Sequence, residues 1–84
     1  MDIEENIAAE ISLFPNPVTD ILNITSSEEI SSIEIVNVMG QIVTRMDVNS
    51  NNAVCDVNYL ANGVYVVRIH STNDEFCQKK FVKE

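Results

Sequence analysis

Leu60-Ala61-Asn62-Gly63-Val64-Tyr65-Val66-Val67-Arg68-Ile69 carries the strongest strand signal in the chain. From Val64 onward β-branched and aromatic residues dominate, with Tyr65, Val67 and Ile69 on one face and Val64, Val66, Arg68 and His70 on the other. The alternation predicts a central strand with one buried face. Asn62-Gly63 just before it is a turn dipeptide, since glycine takes positive φ without steric cost. Leu60, Gly63, Tyr65 and Val67 also have the spacing of a tyrosine corner, in which a tyrosine near the start of a sandwich strand bonds back to the preceding backbone. An ordinary buried tyrosine is the alternative.

Working outward, Ser71 to Asp74 reads as a turn and Phe76 to Val82 as the final strand. Upstream, Ala53 to Val57 alternates as a short strand with Ala53, Cys55 and Val57 inward, preceded by an exposed loop, Asn49 to Asn52. Ile33 to Val38 and Ile42 to Val48 form a hairpin around Met39-Gly40-Gln41. Ser26 to Ser32 is a polar connection, and before it Ile21 to Thr25 is a strand with Leu22 and Ile24 sharing a face. Ile11 to Phe14 is a short strand stopped by Pro15-Asn16-Pro17, where two prolines fix φ and remove two ladder donors. Residues 1–10, with Asp2, Glu4, Glu5 and Glu10, read as a solvated linker. The count is about seven short strands with turns between them and no helix, which predicts an all-β domain over 11–84, an antiparallel β-sandwich. Its expected core is Leu22, Ile24, Ile33, Ile35, Tyr65, Val67 and Ile69.

Composition narrows the function. The 84 residues suit one small domain that buries about 60 to 65% of its unfolded surface. Asp and Glu outnumber Lys and Arg 13 to 5, a formal charge of -8 that disfavours nucleic acid and anionic membrane as partners. No apolar run approaches the ~20 residues of a membrane-spanning helix, so direct membrane insertion is not expected. No basic-then-apolar signal peptide precedes the domain, and Met1 reads as the start of an excised piece of a longer protein. Cys55 and Cys77 permit one disulfide or two free thiols.

Catalytic chemistry finds little support. His70, the single histidine, falls on the outward face of the central strand. The serines lack a Gly-x-Ser-x-Gly setting, and both cysteines sit on strands among hydrophobic neighbours that raise a thiol pKa. No Cys-x-x-Cys pair or calcium-loop spacing appears, so no metal or cofactor is expected. Asp47, Asp56, Asp74 and Glu75 read as strand-end and turn residues, and the sequon Asn23-Ile24-Thr25 lies inside a strand. Lys79, Lys80 and Lys83 are the one basic cluster, at the end of an acidic chain. They suit edge-strand protection or a docking patch.

The blocks Phe14-Pro15-Asn16-Pro17, Asp20-x-Leu22-x-Ile24, Ile33-x-Ile35, Met39-Gly40-Gln41, Leu60-x-x-Gly63-Val64-Tyr65-Val66-Val67-Arg68-Ile69 and Lys79-Lys80-Phe81-Val82-Lys83 stand in an order that resembles the type A C-terminal sorting domain of the type IX (Por) secretion system. The resemblance spans about residues 11 to 84. It implies a seven-stranded immunoglobulin-like sandwich that travels through the periplasm and addresses an upstream, covalently joined passenger to an outer-membrane translocon and its shuttle proteins. A surface sortase then removes the domain, and the passenger is released or attached at the cell surface. The family motif falls on Pro15, Asn16, Pro17, Gly40, Gly63 and Tyr65. The terminal segment Lys79, Lys80, Phe81, Val82 and Lys83 is expected to carry recognition. Phe14 stands where the family has tyrosine, and Cys55 where it has an aliphatic residue, so no disulfide is implied. An immunoglobulin-like accessory or adhesion module of a surface protein is the competing reading, which needs an exposed patch around Tyr59 or Phe76.

Overall fold

The computed structural model describes residues 11–72 and 76–84. Strands β1 (Ile11–Phe14), β2 (Ile21–Val36), β3 (Ile42–Asp56), β4 (Gly63–Ser71) and β5 (Phe76–Lys83) form one sheet in the order β1-β2-β4-β5, with β3 also on β2. These strand pairs are all antiparallel. No helix occurs among the described residues.

β2 is the spine of the sheet. Its first half lies between β1 and the second half of β3, as in the pairs Leu13↔Ile24 and Leu22↔Cys55. Its second half lies between the first half of β3 and β4, with Glu34 opposite both Arg45 and Arg68. β1 and β4 therefore occupy successive stretches of one edge of β2. The sheet divides into a three-stranded half and a four-stranded half that share β2 and β3.

This continuity corrects the expected strand count. Ser26 to Ser32 was expected to connect two strands and Asn49 to Asn52 to be a loop, but both segments stay within strands. Five strands result because each expected pair fuses through irregular register, with shifts between Thr25 and Ile30 and between Ile30 and Ser32. Side chains support the backbone there: Ser26 Oγ accepts the Glu28 N–H at 3.0 Å, and Asn51 Nδ2 donates to the Ser26 carbonyl at 3.2 Å. Asn49 adopts φ 57°, the left-handed region that asparagine tolerates better than most residues. Serine and asparagine serve loops and bulges by the same local hydrogen bonding, so their density marks the bend without revealing that pairing continues.

Across the bend the inward phase of β2 changes. Leu22 and Ile24 point into the core before it, Ile33 and Ile35 after it, and Ile30 is buried between. All seven expected core residues join one hydrophobic cluster, as do Ala53, Cys55 and Val57. Val18, Ile30, Leu60 and Phe81 are further members that the strand pattern did not assign. The β2–β3 turn forms where expected: Asn37 Oδ1 accepts the N–H groups of Met39 and Gln41 at 3.0 Å each, and Gly40 takes φ 86°. The Thr72 N–H donates to the Glu29 carbonyl at 3.0 Å. The remainder of the expected turn after β4 (Asn73, Asp74), Glu75 and the acidic lead-in 1–10 lie outside the described residues.

Candidate functional site

Two segments far apart in sequence meet at the end of β5. After β1 the chain runs through Pro15-Asn16-Pro17, with cis peptide bonds before both prolines. Neither proline has an N–H, so the corner offers β5 the groups of Asn16 and Val18 instead. Asn16 Oδ1 accepts the Val82 N–H at 3.0 Å. The Val18 N–H donates to the Val82 carbonyl at 2.9 Å, and the Glu84 N–H donates to the Val18 carbonyl at 2.8 Å. Val18 and Lys83 thereby form a short parallel bridge, and Val18 is fully buried beneath it.

Neighbouring residues of a strand send their backbone groups to opposite edges. Those of Val82 and Glu84 point toward the corner, so those of Gln78 and Lys80 point to the same side, away from β4. Among the described residues no strand pairs with them there. β5 is clamped at its end and open along its middle.

The corner also explains the side chains of the terminal segment. Phe81 is fully buried and stacks on Tyr65, ring centroids 5.6 Å apart at 20°. Tyr65 O–H donates to the Ala61 carbonyl at 2.7 Å, which is the tyrosine corner rather than a tyrosine buried without such a bond. Gly63, at φ 153°, carries the chain from that turn into β4.

Lys83 is only 6% exposed, and its Nζ donates to the Leu60 carbonyl at 3.1 Å. Its aliphatic stem covers the end of the core while the ammonium donates one hydrogen bond to that carbonyl. The five terminal residues expected to act together are therefore divided. Lys79 and Lys80 are exposed and form no ion pair among the described residues, Val82 is half-buried, and Phe81 and Lys83 are buried. The signal was available in the sequence, because Lys83 shares the inward strand phase of Phe81.

The remaining candidates are dispersed. Cys55 and Cys77 are free thiols, the first buried and the second half-buried. Cys55 lies opposite Leu22 and Cys77 opposite Ile69, on strands that are not sheet neighbours. Burial, then the nearby Asp56 carboxylate, pushes the Cys55 thiol pKa up, away from nucleophilic chemistry. His70 is on the outward face of β4, with Nε2 3.9 Å from Glu34 Oε1 and its ring against Phe76. Asp56 ends β3, its Oδ1 accepting the Asn58 N–H of the following turn at 2.9 Å. Asn23 of the sequon lies within β2 and donates to the Phe14 carbonyl at 3.2 Å. Among the described residues no group of three or more His, Cys, Asp or Glu gathers as a metal site.

Tyr59 and Phe76 are both exposed, but Tyr59 precedes Gly63 at one end of β4, whereas Phe76 faces His70 near the other. They do not make one aromatic patch.

No curated protein matches the chain. Among solved structures, PorZ of Porphyromonas gingivalis, described as an essential bacterial surface component of the type-IX secretion system, has a similar fold, with TM-score 0.74 and 18% identity over 88% of this chain. The chain spans only 11% of PorZ. CopC from Methylosinus trichosporium OB3b is more distant, with TM-score 0.52 and 17% identity over 88% of this chain and 91% of CopC. Both likenesses concern the fold. The family model of the secretion system C-terminal sorting domain matches residues 12–84, from β1 through the end of β5, and the chain belongs to that family, the sorting signals of type IX secretion.

Proposed function

We propose that residues 11–84 act as a folded, non-enzymatic address of type A, with residues 1–10 as the linker to an upstream passenger. On this reading the two halves of the sheet face each other across the shared cluster as an immunoglobulin-like sandwich. The passenger crosses the periplasm, and the domain presents it to the type IX translocon and shuttle proteins for passage through the outer membrane. A surface sortase then removes the domain, leaving the passenger released or attached at the cell surface. Recognition uses the outward side of β5, with Lys80 and Val82, while Phe81 and Lys83 keep that strand in place.

The observation that carries this reading is the family match over 12–84, which takes in both the Pro-Asn-Pro corner and the strand it clasps. Fusion to a foreign periplasmic protein tests it. A sorting domain sends that protein outside the cell, and an adhesion module leaves it in the periplasm.

A further inference from the structure

The outer face of the four-stranded half carries charge against the sign of the whole molecule. The chain has a formal charge of -8, yet Arg45, Arg68, His70 and Lys80 all share this face. These are both arginines, the one histidine and a β5 lysine. Register fixes the arrangement, since residues directly opposite one another across strands lie on the same face. Arg45, Glu34, Arg68 and Gln78 form one row across β3, β2, β4 and β5. Toward the β2–β3 turn the next row is Ile42, Val36, Val66 and Lys80, followed by Val64 beside Val82. Ile42 is 53% exposed and Val64 42%, so an apolar strip borders the cations.

The arginines are poorly occupied by their own protein. Glu34 Oε2 lies 3.8 Å from Arg45 Nε, and Glu34 Oε1 lies 4.0 Å from Arg68 Nη1. These separations exceed hydrogen-bond length, so one carboxylate holds two guanidiniums nearby without using their N–H donors. Glu34 is largely covered but Arg45 and Arg68 reach solvent, and long pairs with such screened partners add little to stability. The face thus retains positive charge and open donors beside apolar surface.

We propose that this face is where the export machinery docks, through a protein surface with an apolar centre and carboxylates at its rim. The proposal deepens the export reading and rests on it. An acidic partner is repelled by the rest of this acidic domain and attracted here, which fixes the orientation of encounter. The strip Ile42, Val66 and Val64 meets the apolar centre, and Arg45, Arg68 and Lys80 meet the carboxylates. Glu34 and Asp47 on the same face set a mixed-sign pattern, which suits a patterned protein surface better than a uniformly anionic bilayer.

Adjacent lysines provide the test, because Lys79 and Lys80 point to opposite sides of β5. In a host with a type IX system, a secreted reporter fused to this domain is followed with Arg45→Gln/Lys80→Gln, Val64→Ser or Lys79→Gln, each checked for an unchanged thermal transition. The double variant and Val64→Ser are expected to slow export by about tenfold, and Lys79→Gln to leave it unchanged. Wild-type export rates in the folded double variant and in Val64→Ser overturn the docking face while leaving the export reading intact. Equal slowing by Lys79→Gln and Lys80→Gln also overturns it, placing recognition on the strand rather than the face. Sedimentation of the wild-type domain, but not the double variant, with phosphatidylglycerol vesicles replaces the protein partner with a membrane. A wild-type fusion that stays in the periplasm removes the export reading and this proposal together.

Discussion

The Asn16 side chain accepts the backbone N–H of Val82 at 3.0 Å, joining residues 66 positions apart. The link ties the corner after the first strand to the end of the last, so two motifs that look independent in sequence form one structural unit. Replacing Asn16 with alanine is expected to destabilise the domain by about 0.5 to 1.5 kcal/mol. Asn16→Asp, which keeps an acceptor oxygen, should recover part of that loss. Denaturant midpoints decide the matter, and equal losses in the two variants would mean that the hydrogen bond is unimportant.

The three terminal lysines should separate in their effect on stability. Lys83→Ala removes a buried stem and leaves the Leu60 carbonyl without its donor, at a cost of about 1 to 3 kcal/mol. Lys79→Ala and Lys80→Ala, at exposed positions, should stay within about 0.5 kcal/mol of the parent. Thermal or urea unfolding of the single variants checks this, and three equal shifts would contradict the buried placement of Lys83.

Core variants test the packing of the four-stranded half onto the shared cluster. Ile35→Ala and Val67→Ala should each cost on the order of 1 to 4 kcal/mol, a large share of a small domain's stability. Val54→Ala, at a position 60% exposed on β3, should cost under about 0.5 kcal/mol. Unchanged midpoints in both core variants would show that the wrong face had been assigned to the interior.

Both thiols should be free. Alkylation of denatured, non-reduced protein is expected to add two labels per chain, and mass measurement showing none would indicate a bridge. In the folded protein Cys55 should react more slowly than Cys77, because it is buried and its pKa is raised. The sign of the linkage follows. Burial favours the neutral Cys55 thiol in the folded state, so its contribution is full below the ordinary thiol pKa and is lost as pH rises through the raised folded value. Cys55→Ala should therefore weaken the alkaline fall in stability measured by unfolding at successive pH values.

Much of this architecture was legible in the sequence because alternation reports burial directly. Leu22, Ile24, Ile33, Ile35, Tyr65, Val67 and Ile69 were assigned to the core by phase alone, and all are in it. Phase fails where a strand bends: Ile30 lies in a polar segment, yet the irregular register turns it inward, so it looked isolated. The link from the corner to β5 is hidden for a different reason. Proline and asparagine announce a turn, but nothing local reveals that the turn will hold a strand dozens of residues later. The charge of Lys83 points outward in sequence while its phase points inward, and phase decides its place. A lysine with a long apolar stem follows its strand into the core's edge when a carbonyl waits for its ammonium.

An export address must carry a foreign cargo out of the cell. A periplasmic reporter carrying residues 11–84 at its C-terminus would be measured in the medium and on the surface of paired strains, one with a working type IX translocon and one without. The reporter is expected to leave the cell only in the competent strain and to accumulate in the periplasm of the other. Folded, intact reporter retained equally in the periplasm of both strains would contradict it.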